Sequence, residues 1–155
     1  MSEDAEAEVR AASDRFYAAL NSVCNGNAKP MEDVWSHADD ASASHPMGDW
    51  SHGWEQIRIT WEEFARSDLG GKVTVKNLTV HVVGDFAYTT GVEDVFLVMQ
   101  AGKVQFRSNA TNIFRRENGV WRIVHHHVDK APDFEQTALA DELLSGAHPA
   151  WRQGL

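Results

Sequence analysis

Apolar residues recur at helical spacing at the start of the chain and change to alternate spacing halfway along it. Val9, Ala12, Phe16, Leu20 and Val23 are spaced three and four apart, with acidic residues in the first turn. They predict a helix that Asn25-Gly26-Asn27 ends. Lys29-Pro30-Met31 opens a short second helix through Trp35, with proline near its first turn. Residues 38–45 read as a short strand ended by Pro46, and residues 47–53 as a loop. Trp54, Ile57, Trp61 and Phe64 mark the apolar face of a third helix, which Gly70-Gly71 closes.

From there the period is two. Val73 and Val75 alternate, then Leu78, Val80 and Val82 alternate in the other parity. The shift near Lys76-Asn77 predicts a bulge that bends the strand. Gly84-Asp85 and Ala101-Gly102 are turns, separating strands at 86–99 and 104–116. Glu117-Asn118-Gly119 is a hairpin signal, and residues 121–129 form the last strand. Pro132 ends the sheet, and residues 134–144 can form a short helix before a tail.

Helices followed by long hairpin-linked strands make an α+β pattern. Four such strands with a bulge curve, and helices closing the curve form a cone-shaped roll that encloses a pocket. The 155 residues read as one domain, with a core over about 9–132 and a C-terminal helix and tail over 133–155.

Composition narrows the classes. The net charge of −9 disfavours nucleic-acid backbones and anionic membranes. No apolar run approaches the roughly 20 residues of a membrane span, and residues 1–8 lack the apolar stretch of a signal peptide. Cys24 is the only cysteine, so no internal disulfide forms. The default expectation is a cytoplasmic protein. There is no phosphate-binding glycine loop, paired-cysteine motif or HExxH. No cofactor and no metal are expected.

Gly53-Trp54-Glu55-Gln56-Ile57, Val83-Gly84-Asp85 and the run from Asn118 to His127 resemble the SnoaL-like branch of the nuclear transport factor 2-like superfamily. The resemblance spans about residues 9–132. The ending from Trp121 through His125-His126-His127 to Pro132 is also similar to the association domain of calcium/calmodulin-dependent protein kinases. Asp129 stands where that domain usually has serine, and Val128 where a pocket arginine can sit. The resemblance implies helices on a curved, mostly antiparallel mixed sheet, and dimers formed through its outer face. It does not imply one activity.

By that comparison, Val124, His126 and Val128 line the cavity, while Trp121, Ile123, His125, His127 and Asp129 face the other way. A bulge would exchange the two sets. His45 falls near the cavity mouth, where an imidazole can act as acid or base. Glu93 falls where a charged residue can line the cavity, and an apolar surrounding would make it a usable base. The alternative for Glu93 is an exposed ion pair with Arg107 or Arg115.

Asn112 shares the inward parity with Ser108 and Ala110, and an amide there can orient or polarise a carbonyl. Arg107 could bind a carboxylate or lie on a solvated face. Trp54 and Trp61 are core residues by their stripe, yet the same helix lids the cavity, so their rings could stack on a flat ligand. Trp50, on the loop, is the candidate for a gate.

Two readings follow. One is a cofactor-free isomerase, cyclase or dehydratase that abstracts a proton beside a carbonyl on a hydrophobic substrate. Glu93 or His126 would be the base, and His45 or Asn112 would steady the oxyanion. The other is a non-catalytic ligand-binding or oligomerisation module. The expected partners are a small hydrophobic or acidic ligand and a second copy of the chain.

Overall fold

The computed structural model describes residues 2–46, 50–67, 69–100 and 102–129. They form α1 (Ser2–Cys24), α2 (Met31–Val34), β1 (Ser42–Ser44), β2 (Ser51–His52), α3 (Gly53–Arg66), β3 (Gly71–Val83), β4 (Phe86–Met99), β5 (Gly102–Glu117) and β6 (Val120–Val128). The six strands make one open, curved sheet in the order β2-β1-β6-β5-β4-β3. β1 runs parallel to β6, and the other neighbours are antiparallel. The predicted helix at 134–144 and the tail lie outside the described residues.

The three helices and four long strands fall where the periodicity places them. The segment between α2 and α3 differs. Residues 38–40 turn instead of extending, with Ala41 N–H donating to Ala38 O at 3.3 Å. The strand is therefore only β1. Part of the predicted loop pairs with it as β2, through Ser42 opposite His52 and Ala43 opposite Ser51. These short pieces are strands because β6 offers β1 a free edge, not because of their own pattern.

Two bulges shape the sheet. In β3, Asn77 takes a φ of 54°, and pairing shifts between Lys76 and Thr79. Gly91 sits across from this bend, where a Cβ would lie 2.7 Å from Val75 Cγ2. Only glycine lets the two strands approach so closely. In β6, Ile113 pairs with His125 while Phe114 pairs with Ile123, so Val124 is an extra residue without an opposite number. Trp121 and Ile123 are consequently buried on the same side as His126 and Val128. This corrects the expectation that Trp121 and Ile123 share the outer face with His125. The alternation is reset once, at Val124.

The core lies between α1 and the sheet's concave face. Phe16 of α1 meets Trp35 and Trp61 edge-on, each with ring centroids 6.4 Å apart. Asn21 binds the edge of β3 like a short strand. Its Nδ2 donates to Val73 O at 3.0 Å, and Val73 N–H donates to its Oδ1 at 2.7 Å. Trp121 Nε1 donates to Glu8 at 3.0 Å, tying the start of α1 to β6.

Candidate active site

Alternation on three adjacent strands turns a set of polar side chains toward the core. Thr89, Glu93, Ser108, Asn112 and His126 are all at most 4% exposed. Such groups are unfavourable in an interior unless they bond to one another. Three of them, Glu93, Asn112 and His126, are joined through Tyr17 of α1. Tyr17 Oη donates to Glu93 Oε1 at 2.9 Å. Asn112 Nδ2 donates to Tyr17 Oη at 3.4 Å. His126 Nδ1 lies 2.5 Å from Asn112 Oδ1. A carbonyl oxygen only accepts, so His126 carries its proton on Nδ1 and leaves Nε2 as an acceptor. The chain runs from His126 through Asn112 and Tyr17 to Glu93, and every donor points the same way.

Glu93 and His126 also line a small cavity of about 70 Å³. Its other walls include His45, Trp61 and Ser108, with Leu20, Phe64, Val95 and Leu97 supplying apolar surface. The His45 ring meets Trp61 edge-on at 4.9 Å and lies 5.3 Å from the His126 ring. Among the described residues, no lysine or arginine contributes to the wall.

Burial sets the protonation states. Loss of solvent pushes the Glu93 carboxyl up to about 7, against the opposing hydrogen bond from Tyr17. It pushes the Tyr17 hydroxyl far above its usual range, with Glu93 adding to the effect. It lowers His45 to about 4, and it lowers His126 well below the usual imidazole value, with His45 as a further cause. Cys24 rises to about 11, through burial and then the nearby Glu93 charge. The site thus has two neutral imidazoles and a carboxyl poised near neutrality.

The structure brings Glu93, His126, His45 and Trp61 to one cavity, with Asn112 bonded behind His126. It does not bring Arg107, Trp50 or Trp54 there. Arg107 is next to inward-facing Ser108 and so points outward, where its Nε donates to Asp94 at 3.0 Å. Trp50 is half exposed and stacks on His125 at 5.6 Å, against the outer side of β6. Trp54 stacks on His37 at 4.5 Å and lines a second cavity of about 270 Å³ between the helices. Among the described residues, no group of three or more His, Cys, Asp and Glu is placed to hold a metal ion.

Sequence reasoning missed Tyr17. Its signal is the spacing Ser13, Tyr17, Leu20, Cys24, a second helical stripe beside the apolar one. A tyrosine in such a stripe buries its ring and needs a partner for its hydroxyl.

The sequence profile of the SnoaL-like domain matches residues 9–129, and the chain belongs to that family. A protein from Streptomyces avermitilis, described as a candidate dehydratase of the NTF2-like family, superimposes with a TM-score of 0.74. It is 19% identical and covers 85% of this chain and 99% of its own. A candidate calcium/calmodulin-dependent protein kinase II association domain from Xanthomonas campestris is 25% identical, with a TM-score of 0.68. That match covers 81% of this chain and 87% of the other. Among curated proteins, F-box protein SKIP8 of Arabidopsis thaliana is 25% identical over 97 residues, which are 63% of this chain and 39% of that protein's length. Among the described residues, no helix is long and apolar enough to cross a membrane.

Proposed function

We propose that this chain binds a small carbonyl compound in the cavity and moves a proton beside that carbonyl, in an isomerisation, cyclisation or dehydration. The observation that carries the reading is Glu93: a 4% exposed carboxyl with no cation beside it among the described residues, facing an apolar cavity and held by the neutral donor Tyr17. A carboxyl titrating near 7 both takes and returns a proton at neutral pH. Tyr17 fixes its orientation, and Asn112 fixes the tautomer of His126. His126 Nε2 and His45 offer acceptors for a hydroxyl or water. This is acid–base chemistry carried by the chain's own side chains.

The test is exchange of α-protons of small ketones in deuterated water, followed by NMR. Wild-type protein is expected to accelerate exchange, with a rate rising through about pH 7. Full activity in both Glu93→Gln and His126→Ala sinks the reading.

The likeness to the Xanthomonas campestris association domain supports a second reading, an oligomerisation module. We infer that the outer sheet face pairs with a second copy in either case. Phe86, Tyr88 and Val98 are exposed there. Light scattering on Tyr88→Glu tests it: a dimer that survives the charge rejects this face.

A further inference from the structure

The polar chain within the site uses Glu93, Tyr17, Asn112 and His126, and leaves Ser108 over. Ser108 stands directly across from Glu93 in the β4–β5 pairing. It is 2% exposed, it lines the cavity, and its Oγ has no hydrogen-bond partner among the described residues. A second wall residue, Trp61, has a buried Nε1 in the same condition. An indole N–H can only donate, and a hydroxyl beside a carboxyl group can donate as well. Buried donors without acceptors are unfavourable, so the complementary atom of a ligand is an acceptor oxygen.

Charge narrows the ligand further. The titratable groups of the wall are Glu93, His45, His126 and Cys24, with Tyr17 behind Glu93. Among the described residues, no lysine or arginine faces the space. An anionic ligand would give up its water beside a carboxylate and gain no countercharge.

The geometry points to an uncharged carbonyl compound of few heavy atoms as the occupant, its oxygen accepting from Ser108 Oγ and its remainder packed on Leu20, Phe64, Val95 and Leu97. Carboxylates are excluded. Ser108 is then a specificity residue for the neutral carbonyl. This inference rests on the reading above in placing the ligand in the same cavity, but its test needs no turnover.

Three compounds of similar shape separate the possibilities: cyclopentanone, methylenecyclopentane and cyclobutanecarboxylate. Their affinities for the full chain are measured by ligand-observed NMR at pH 8, with wild-type protein and Ser108→Ala. The ketone-to-hydrocarbon affinity ratio is expected to fall about five-fold in Ser108→Ala. The carboxylate is expected to bind at least about ten-fold more weakly than the ketone to either protein. Thermal unfolding controls for folding, and Ser108→Cys, which keeps a weak donor, is expected to restore part of the ratio. A ratio unchanged by Ser108→Ala overturns the inference. So does a carboxylate bound as tightly as the ketone, or no binding by any of the three. Ketone binding that depends on Ser108, without proton exchange, overturns only the proposed reaction.

Discussion

Glu93 and Asp94 are consecutive carboxylates on β4, and the sheet sends them into opposite worlds. Asp94 faces out, where Lys76 and Arg107 bracket it. Those partners hold it below its usual range. Glu93 faces in, has a tyrosine hydroxyl in place of a cation, and rises to about 7. The same functional group is a surface anion at one position and a buried carboxyl raised to about 7 at the next. Strand alternation, not residue type, decides which carboxyl is buried and which way its pKa moves.

The sharpest way to break this comparison is to neutralise each partner in turn. Glu93→Gln keeps an oxygen for Tyr17 and is expected to slow ketone proton exchange by about a thousand-fold. Asp94→Asn is expected to leave the rate unchanged. Equal losses in the two variants would mean that the inner carboxyl has no special role.

Next comes stability against pH. Glu93 has a folded value above the usual carboxylate value, so its favourable contribution is complete below about pH 4 and is lost as pH rises through 7. Glu93→Gln does not suffer that loss. Its stability relative to wild type is expected to improve by about 3 kcal/mol between pH 4 and pH 8, read from urea unfolding. His45 and His126 act with the opposite sign, favouring the fold above pH 6.5 and losing that contribution on acidification. They are present in both proteins and cancel in the difference. Parallel profiles would mean that Glu93 is solvated.

Asn112→Ala is a smaller test of the inner chain. It strands the His126 Nδ1–H and is expected to cost about 2 kcal/mol in urea unfolding. Smallest of all, Asp94→Asn is expected to lower stability slightly at low salt and not at all in 1 M salt. A salt-independent loss there would remove the contrast between the faces.

The elements that span many periods were legible in the sequence. β4 and β5 alternate over long runs, and Lys76-Asn77 announces its own bulge by a change of parity. β1 was legible only within an over-long strand at 38–45, and β2 was not legible, because two or three residues carry no period and pairing with β6 and β1 makes them strands. The site divides along the same line. Glu93, His45 and His126 could be placed through resemblance. Tyr17 required knowing which face of α1 lies over β4. Arg107 was left between a ligand-binding and a solvated reading, although its neighbour Ser108 had been assigned inward and alternation alone turns Arg107 outward. Val124 left no sign, since a valine looks alike in a bulge and in a ladder.

Val124 also has a consequence for how this strand tolerates length change. At most positions in the central ladder, losing one codon inverts every side chain that follows. At Val124 the loss would restore the count: Ile123 would be followed by His125 facing out and His126 facing in, as they do already. The strand carries its own spare link two residues before the buried His126. In a series of single-residue deletions along β6, the one at Val124 should leave a folded protein with His126 still inside, whereas deletions beyond His126 have no spare residue to absorb them.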